Sequence, residues 1–168
     1  WDEFSRSYVG GAVGEFFGYR SLGIFQTQAE IDALNAKAPR GIYYRAATRP
    51  GARYFADING DGKVDATDRT SIGNPQPKVF GGLNLDASYK DWDINLYFYG
   101  SFGNKILNYI ESHLESFQKR GSEGVQNVSQ EYFQNSWKPD PPSNRYARAL
   151  HNHDNTLNNV PSDVWVEN

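Results

Sequence analysis

The chain has 168 residues, enough for one ordinary domain or for a piece of a larger protein. Its formal net charge of −3 argues against a non-specific nucleic-acid binder, which needs a basic surface. No run approaches the roughly 18 apolar residues of a membrane-spanning helix, which excludes an α-helical membrane protein. Cysteine is absent, which removes disulfides, thiol catalysis and thiolate metal sites. Methionine is absent too and the chain starts at Trp1, so we expect an internal part of a longer protein.

The first third of the chain predicts short strands followed by one short helix. Residues 1–26 are rich in glycine and aromatic residues and keep no helical period, which favours strands and tight turns. Thr27 has the character of a helix N-cap, with Glu30 three residues later as in a capping box. Pro39 and Gly41 end this helix, so we expect it to be short and superficial.

The middle of the chain contains the most regular pattern. Residues 41–55 are extended and aromatic, and 72–77 form a rigid, proline-containing connection that cannot be helical. Residues 79–89 and 92–102 then alternate apolar and polar positions, separated by the two residues Lys90-Asp91. This spacing predicts two eleven-residue strands that form a β-hairpin.

Each predicted strand of this hairpin has one apolar and one polar face. In a soluble sheet the apolar face packs on a core, whereas in an outer-membrane barrel it contacts lipid. Eleven residues are enough to cross a bilayer when tilted, and Tyr89, Trp92 and Phe102 lie where an aromatic girdle is expected. The other segments supply few apolar residues to cover the hairpin, and two strands are not stable alone. Its partners must therefore be lipid or strands outside these residues.

The last third predicts two helical stretches and a polar tail. Apolar residues recur at helical spacing in 104–119 and again in 125–137. The segment 111–163 is too long for an ordinary hairpin loop, and such long loops usually carry function. His151 and His153 lack a third ligand at suitable spacing and are interpreted as part of a solvated loop.

The segment 57–68 matches a twelve-residue calcium-binding loop position by position. Side-chain oxygens fall at positions 1, 3 and 5, glycine makes the turn at position 6, and position 7 offers its backbone carbonyl. Four carboxylates in twelve residues would repel one another without a cation, and calcium takes six to eight oxygen ligands. The predicted ligands are Asp57, Asn59, Asp61, Lys63, Asp65 and Asp68.

Two features separate this loop from a regulatory EF-hand. Asp68 is shorter than the usual bidentate glutamate at position 12, and neither flank has the pattern of a helix. We therefore expect a structural Ca²⁺ clip, with a turn satisfied by its own backbone as the alternative. No nucleophile triad, P-loop or dinucleotide fingerprint accompanies the loop, so we do not expect an enzyme.

Several sequence blocks, in order, resemble the C-terminal part of SusC/RagA-type TonB-linked outer-membrane transporters of Bacteroidetes. The resemblance spans nearly the whole chain, and its specificity lies in the order and spacing of the blocks. These blocks are VGEFFGY at 13–19, LGIFQ at 22–26, AEI at 29–31, PG at 50–51, DINGDG at 57–62 with Asp65 and Asp68-Arg69, IGNP at 72–75, FGGLN at 80–84, YKDWDI at 89–94, GN at 103–104, Trp137 and WVE at 165–167.

This resemblance implies an all-β fold with short helices in loops, as a fragment of a 22-stranded transmembrane barrel with long extracellular loops. It implies that 1–168 is a partial barrel without the plug domain, with 79–102 as transmembrane hairpin and 103–163 as extracellular loop region. It further implies location in the outer membrane, a SusD-like lipoprotein lid, coupling to TonB, contact with membrane lipid, and import of oligosaccharides or peptides.

An alternative hypothesis is a soluble extracellular calcium-binding β module. Such a module would bind carbohydrate or protein through Tyr43, Tyr44 and Trp137. The two hypotheses differ in where the apolar residues Leu83, Leu85, Ile94 and Leu96 lie: the transporter exposes them to hydrocarbon, and the soluble module buries them in a core.

Overall fold

The computed structural model describes residues 4–114, 127–149 and 160–167. Within these ranges the chain is mainly β-structure with short helices, and no helix there is long and apolar enough to cross a bilayer. The strands are β1 (Ser5–Arg6), β2 (Glu15–Gly18), β3 (Ser21–Ile24), β4 (Arg53–Phe55), β5 (Thr70–Gly73), β6 (Val79–Tyr89), β7 (Trp92–Phe102), β8 (Ile106–Leu107) and β9 (Val166–Glu167). The helices are α1 (Gln28–Lys37), α2 (Tyr109–Leu114) and α3 (Gln130–Asn135), with 3₁₀ turns at Ala66–Asp68 and Asp163–Trp165.

The strands pair into four small antiparallel sheets. One sheet has the order β1-β2-β5, and the other three are the pairs β3-β4, β6-β7 and β8-β9. All described residues outside β6, β7 and their turn are called the body below. The body therefore contains three of these sheets, and the hairpin is a separate two-stranded sheet.

Helix α1 begins and ends where the sequence predicts. The Thr27 side chain accepts a hydrogen bond from the Glu30 backbone N–H at 3.3 Å. Glu30 in turn accepts from the backbone N–H of Gln26 at 2.8 Å, one residue earlier than a standard capping box. Ile31 is the buried residue of the helix and packs on Phe25. The remaining positions are largely exposed, so the helix is short and superficial as expected.

Aromatic residues form the core of the body. Phe55 is 1% exposed and lies between the rings of Tyr19 and Tyr44, with both pairs of ring centroids 5.4 Å apart. Tyr43 is also buried and donates its hydroxyl to the Phe55 carbonyl at 3.1 Å. Trp165, near the end of the chain, is 1% exposed. Aromatic burial of this kind dominates the stability of small cores.

Backbone hydrogen bonds connect later segments of the chain to its first third. The Tyr19 N–H donates to the Pro161 carbonyl at 2.7 Å, and the Arg148 N–H donates to Gly51 at 2.9 Å. Gly51 has φ +90°, and a Cβ there would lie 2.6 Å from Cε3 of Trp137. Only glycine fits both the backbone conformation and this close approach.

The prediction of a helix over 104–119 is wrong for its first residues. Ile106 and Leu107 form strand β8, which pairs with Val166 and Glu167, and helix α2 begins only at Tyr109. The spacing of apolar residues favoured a helix, but pairing with a strand about 60 residues later decides the conformation. Of the second stretch, 125–137, the structure describes residues from 127 onward, and within these the short helix α3 forms.

Candidate functional site

The hairpin β6-β7 has the bounds and register that the alternating pattern predicts. Val79 is paired with Phe102, Leu85 with Leu96 and Tyr89 with Trp92, without interruption along eleven pairs. Lys90 in the two-residue turn has φ 54°. Because directly paired residues share a face, the apolar residues of both strands collect on one side.

No described residue covers the apolar face of the hairpin. Leu83, Leu85, Ile94 and Leu96 are 47–55% exposed, whereas the core residues of the body are below 10%. Phe98 lies opposite Leu83 in the centre of this face, and the pair Gly81–Gly100 separates the centre from Phe102 at one end. The aromatic side chains at the ends are Tyr89, Trp92 and Phe102.

The opposite face of the hairpin carries a small polar network. The Asp86 carboxylate accepts hydrogen bonds from the Asn84 amide at 2.9 Å and from the Asn95 amide of the partner strand. Tyr97 and Tyr99 lie on the same face and are 65–68% exposed. The two faces of the hairpin therefore differ in polarity, one carrying hydrogen-bonding groups and the other apolar side chains.

The acidic loop 57–68 is ordered by hydrogen bonds from its own backbone. Asp57 accepts from the N–H groups of Gly60 and Gly62, both at 2.7 Å. Asn59 accepts from Asp61 at 2.9 Å, and Asp61 accepts from Lys63 at 3.1 Å. These are Asx-type turns, in which a side-chain oxygen replaces a backbone carbonyl.

Asp68 closes the loop from inside. It is fully buried, and its carboxylate accepts from the N–H groups of Ile58 at 2.9 Å, Asn59 at 3.3 Å and Asp65 at 2.8 Å. Asp65 and Asp68 also form a reciprocal capping box at the 3₁₀ turn. A buried carboxylate with three N–H donors is satisfied without a partner cation.

Lys63 places a positive charge beside two carboxylates of the loop. Its ammonium forms ion pairs with Asp65 and, at 3.6 Å, with Asp61. The hydrogen bond from Lys63, followed by those from Thr67, lowers the pKa of the Asp65 carboxyl. The hydrogen bond to Asp65 raises the pKa of Lys63. The ammonium thus offsets part of the charge repulsion in the loop.

The six predicted metal ligands lie in one loop, but their side chains are directed to backbone donors and to Lys63. Among the described residues, no group of three or more His, Asp or Glu side chains is arranged to hold a metal ion. The donor atoms are oxygens of the kind that calcium prefers. His151 and His153 lie outside the described residues.

The aromatic residues of the soluble-module hypothesis are not exposed together on one surface. Tyr43 and Trp137 are 9% and 8% exposed, and the hydroxyl of Tyr44 is buried. The Trp137 indole N–H donates to Gln26 Oε1 at 3.0 Å, which fixes the ring inside the body. Tyr43 and Trp137 are therefore buried and Tyr44 is partly buried against Phe55, so the three residues do not form one exposed binding surface. Trp137 also lines a cavity beside helix α3.

Comparison with known proteins identifies relatives of the chain. No family model matches it. A TonB-dependent receptor of Formosa agariphila is 34% identical over 131 residues, covering 77% of this chain and 12% of the receptor. A second receptor of that organism is 29% identical over 163 residues, covering 97% of this chain and 15% of the receptor.

A third TonB-dependent receptor of Formosa agariphila is 29% identical over 128 residues, covering 58% of this chain and 12% of the receptor. The chain therefore spans about an eighth of the length of the curated relatives that it matches. Similarity at this level over most of the chain agrees with the order of blocks noted above. The chain belongs to the TonB-dependent receptor family.

Proposed function

We propose that this chain is part of an outer-membrane transporter, in which residues 79–102 cross the bilayer as two neighbouring strands of a barrel. The observation that carries this proposal is the exposed apolar face of the hairpin, with half-exposed leucines and isoleucine at its centre. Soluble monomers rarely leave a contiguous apolar surface of this extent uncovered. The names of the three related receptors support the same function.

The dimensions of the hairpin fit a bilayer. Eleven residues at about 3.3 Å each give a strand of roughly 36 Å, which spans about 25 Å when tilted by about 45°. That span equals the apolar band of outer-membrane barrels. Aromatic side chains lie at both ends of the apolar face, where the headgroup regions would be.

The orientation of the hairpin follows from its two ends. A two-residue turn joins the strands at one end, and the body is attached at the other, through residues 78 and 103. Outer-membrane barrels have short periplasmic turns and long extracellular loops. This asymmetry supports a body that lies outside the cell, and the resemblance to SusC/RagA-type transporters supports contact there with a SusD-like lipoprotein lid. Uptake of oligosaccharides or peptides is driven by TonB, and no bond chemistry occurs in this chain.

Fractionation of the receptor that carries this chain tests the proposal. We expect the receptor in the outer-membrane fraction, resistant to washing with alkaline carbonate and released only by detergent. We also expect uptake to stop when TonB is deleted, and the lid lipoprotein to co-purify. A receptor that stays in buffer without detergent would exclude a membrane-spanning hairpin and favour the soluble module.

The acidic loop 57–68 is proposed as a structural calcium site on the outer surface. Its support is the twelve-residue spacing and the oxygen chemistry of Asp57, Asn59, Asp61, the Lys63 carbonyl, Asp65 and Asp68. Calorimetry on the intact receptor tests it, with Asp61→Asn as the weakened variant and Asp91→Asn in the hairpin turn as the control. Absence of calcium-dependent heat in the unaltered receptor would leave the loop as a set of Asx turns stabilised by Lys63.

A further inference from the structure

A cavity of about 410 Å³ lies between helix α3 and the chain at 136–139 and 148–149. This volume is within the range of small-ligand sites. Most of its lining is apolar, and the nine described residues around it include two cations, Lys138 and Arg148, and no carboxylate. The charged side chains among these nine lining residues are therefore both positive.

The wall of the cavity is held in place by hydrogen bonds to distant parts of the chain. The hydroxyl of Tyr132 donates to the Ala147 carbonyl at 3.1 Å. Arg148 donates to the Pro50 carbonyl at 3.1 Å, and its guanidinium lies 5.6 Å from the centre of the Trp137 ring. Because these groups are fixed in advance, a ligand would lose little binding free energy to ordering them.

The rim of the cavity combines an exposed ring with a cation. Phe133 is 69% exposed, in contrast to the buried Tyr132 and Trp137 on the same wall. The Lys138 ammonium lies 5.3 Å from the centre of the Phe133 ring and donates to the Phe133 carbonyl at 3.2 Å. A ligand there meets a flat apolar surface and a positive charge within one sugar-ring diameter.

We infer that this cavity binds an acidic saccharide unit, which deepens the proposed transport function and rests on it. A uronate ring is rigid and carries an apolar C–H face beside a carboxylate, which matches the adjacent Phe133 ring and Lys138 ammonium. An acidic peptide side chain offers the charge without a flat face, and ordering its rotatable bonds costs more conformational entropy. The selectivity of the cavity is therefore for charged over neutral sugars.

Calorimetry on the intact receptor in detergent tests the inference, with tetragalacturonate as probe and its methyl-esterified form as neutral analogue. We expect tetragalacturonate to bind more tightly than the ester. Lys138→Gln should weaken binding about tenfold or more, because a charge-assisted hydrogen bond is lost. Phe133→Leu should weaken the binding of both sugars, because the aromatic ring that stacks on them is lost. Lys90→Gln, in the hairpin turn, is the matched control and should change neither.

Four results would overturn the inference: equal affinity for the ester, unchanged affinity in Lys138→Gln, tighter binding of tetraglutamate than of tetragalacturonate, or no binding at millimolar probe. A receptor that fractionates with the outer membrane and depends on TonB, yet binds no tetragalacturonate, retains the proposed function and loses only this site. A receptor that binds the probe but stays in buffer without detergent loses the transport function and keeps the site.

Discussion

The hairpin 79–102 and the body use the same kinds of residue in opposite ways. In the body, Phe55 and Trp165 are buried almost completely and hold distant segments together. In the hairpin, Phe98 and Trp92 are more than half exposed although they lie in a regular strand pair. The comparison shows that composition alone does not place a hydrophobic residue. Contacts with other segments decide whether the apolar side chains of a segment are buried, and the described residues supply such contacts to the body but not to the hairpin.

The largest effect should come from emptying the core of the body. Phe55→Ala leaves a cavity among Tyr19, Tyr43 and Tyr44, and we expect a loss of about 3–5 kcal/mol of local stability. Hydrogen exchange of backbone amides in the intact receptor measures this loss segment by segment. Phe98→Ala in the hairpin is the matched control, and its cost should be smaller because lipid fills the space. Equal costs would contradict the distinction between the two regions.

A charge on the apolar face of the hairpin should have the next largest effect. Leu96→Arg places a cation near the middle of the bilayer and should cost about 2–4 kcal/mol. The yield of folded receptor in lipid vesicles reports this cost. Asn95→Arg, on the neighbouring position and the opposite face, should fold with nearly normal yield. If the two variants fold equally well, the apolar face does not contact lipid.

Removing the buried negative charge that closes the acidic loop should have a moderate effect. Asp68→Asn replaces the carboxylate oxygen that accepts from the Asp65 N–H with an amide nitrogen, which cannot accept. We expect this change to lower the free energy of unfolding by about 1–3 kcal/mol. Faster amide exchange at Ile58 and Asp65 would reveal it. Asp61→Asn, an exposed member of the same loop, should be nearly neutral without added calcium. A neutral Asp68→Asn would show that its three hydrogen bonds do not hold the loop.

The smallest effect should be a dependence of body stability on alkaline pH. Burial raises the pKa of Tyr43 to about 12, whereas an unfolded tyrosine titrates near 10. The contribution of Tyr43 to stability is therefore constant below about pH 10 and falls between pH 10 and 12, because only the unfolded chain releases the tyrosine proton there. Tyr43→Phe should reduce the fall in stability between pH 10 and 12. The remaining fall comes from Tyr44, because burial also raises its pKa to about 12. An unchanged slope in Tyr43→Phe would contradict this assignment.

The sequence predicts the features of this fold that are local. The period of two along 79–102 sets the bounds and the pairing of the hairpin, and Thr27 and Pro39 delimit helix α1. These patterns depend only on neighbouring residues. The twelve-residue spacing in the acidic loop is local as well, and the turns between its residues follow from it.

Features that depend on distant segments could not be predicted. Strand β5 pairs with β2, and β8 pairs with β9 across almost 60 residues. The sequences of β5 and β8 alone do not show the alternation that predicts a strand, because their partners lie far away in the chain. The soluble-module hypothesis predicts that Tyr43, Tyr44 and Trp137 are exposed, because nothing in their own segments shows that residues elsewhere in the chain cover them. The cavity beside Lys138 likewise exists only because Arg148 and helix α3 meet.

The accessibility of single labelled positions along β6 tests the central claim most directly. These 168 residues contain no cysteine, so once any cysteine elsewhere in the receptor is replaced, a spin label can be attached at 83, 84, 85 and 86 in turn in the membrane-embedded receptor. We expect labels at 83 and 85 to be relaxed by oxygen dissolved in the lipid, and labels at 84 and 86 by a water-soluble nickel complex. Relaxation by the nickel complex at all four positions would contradict a hairpin that has one face in hydrocarbon.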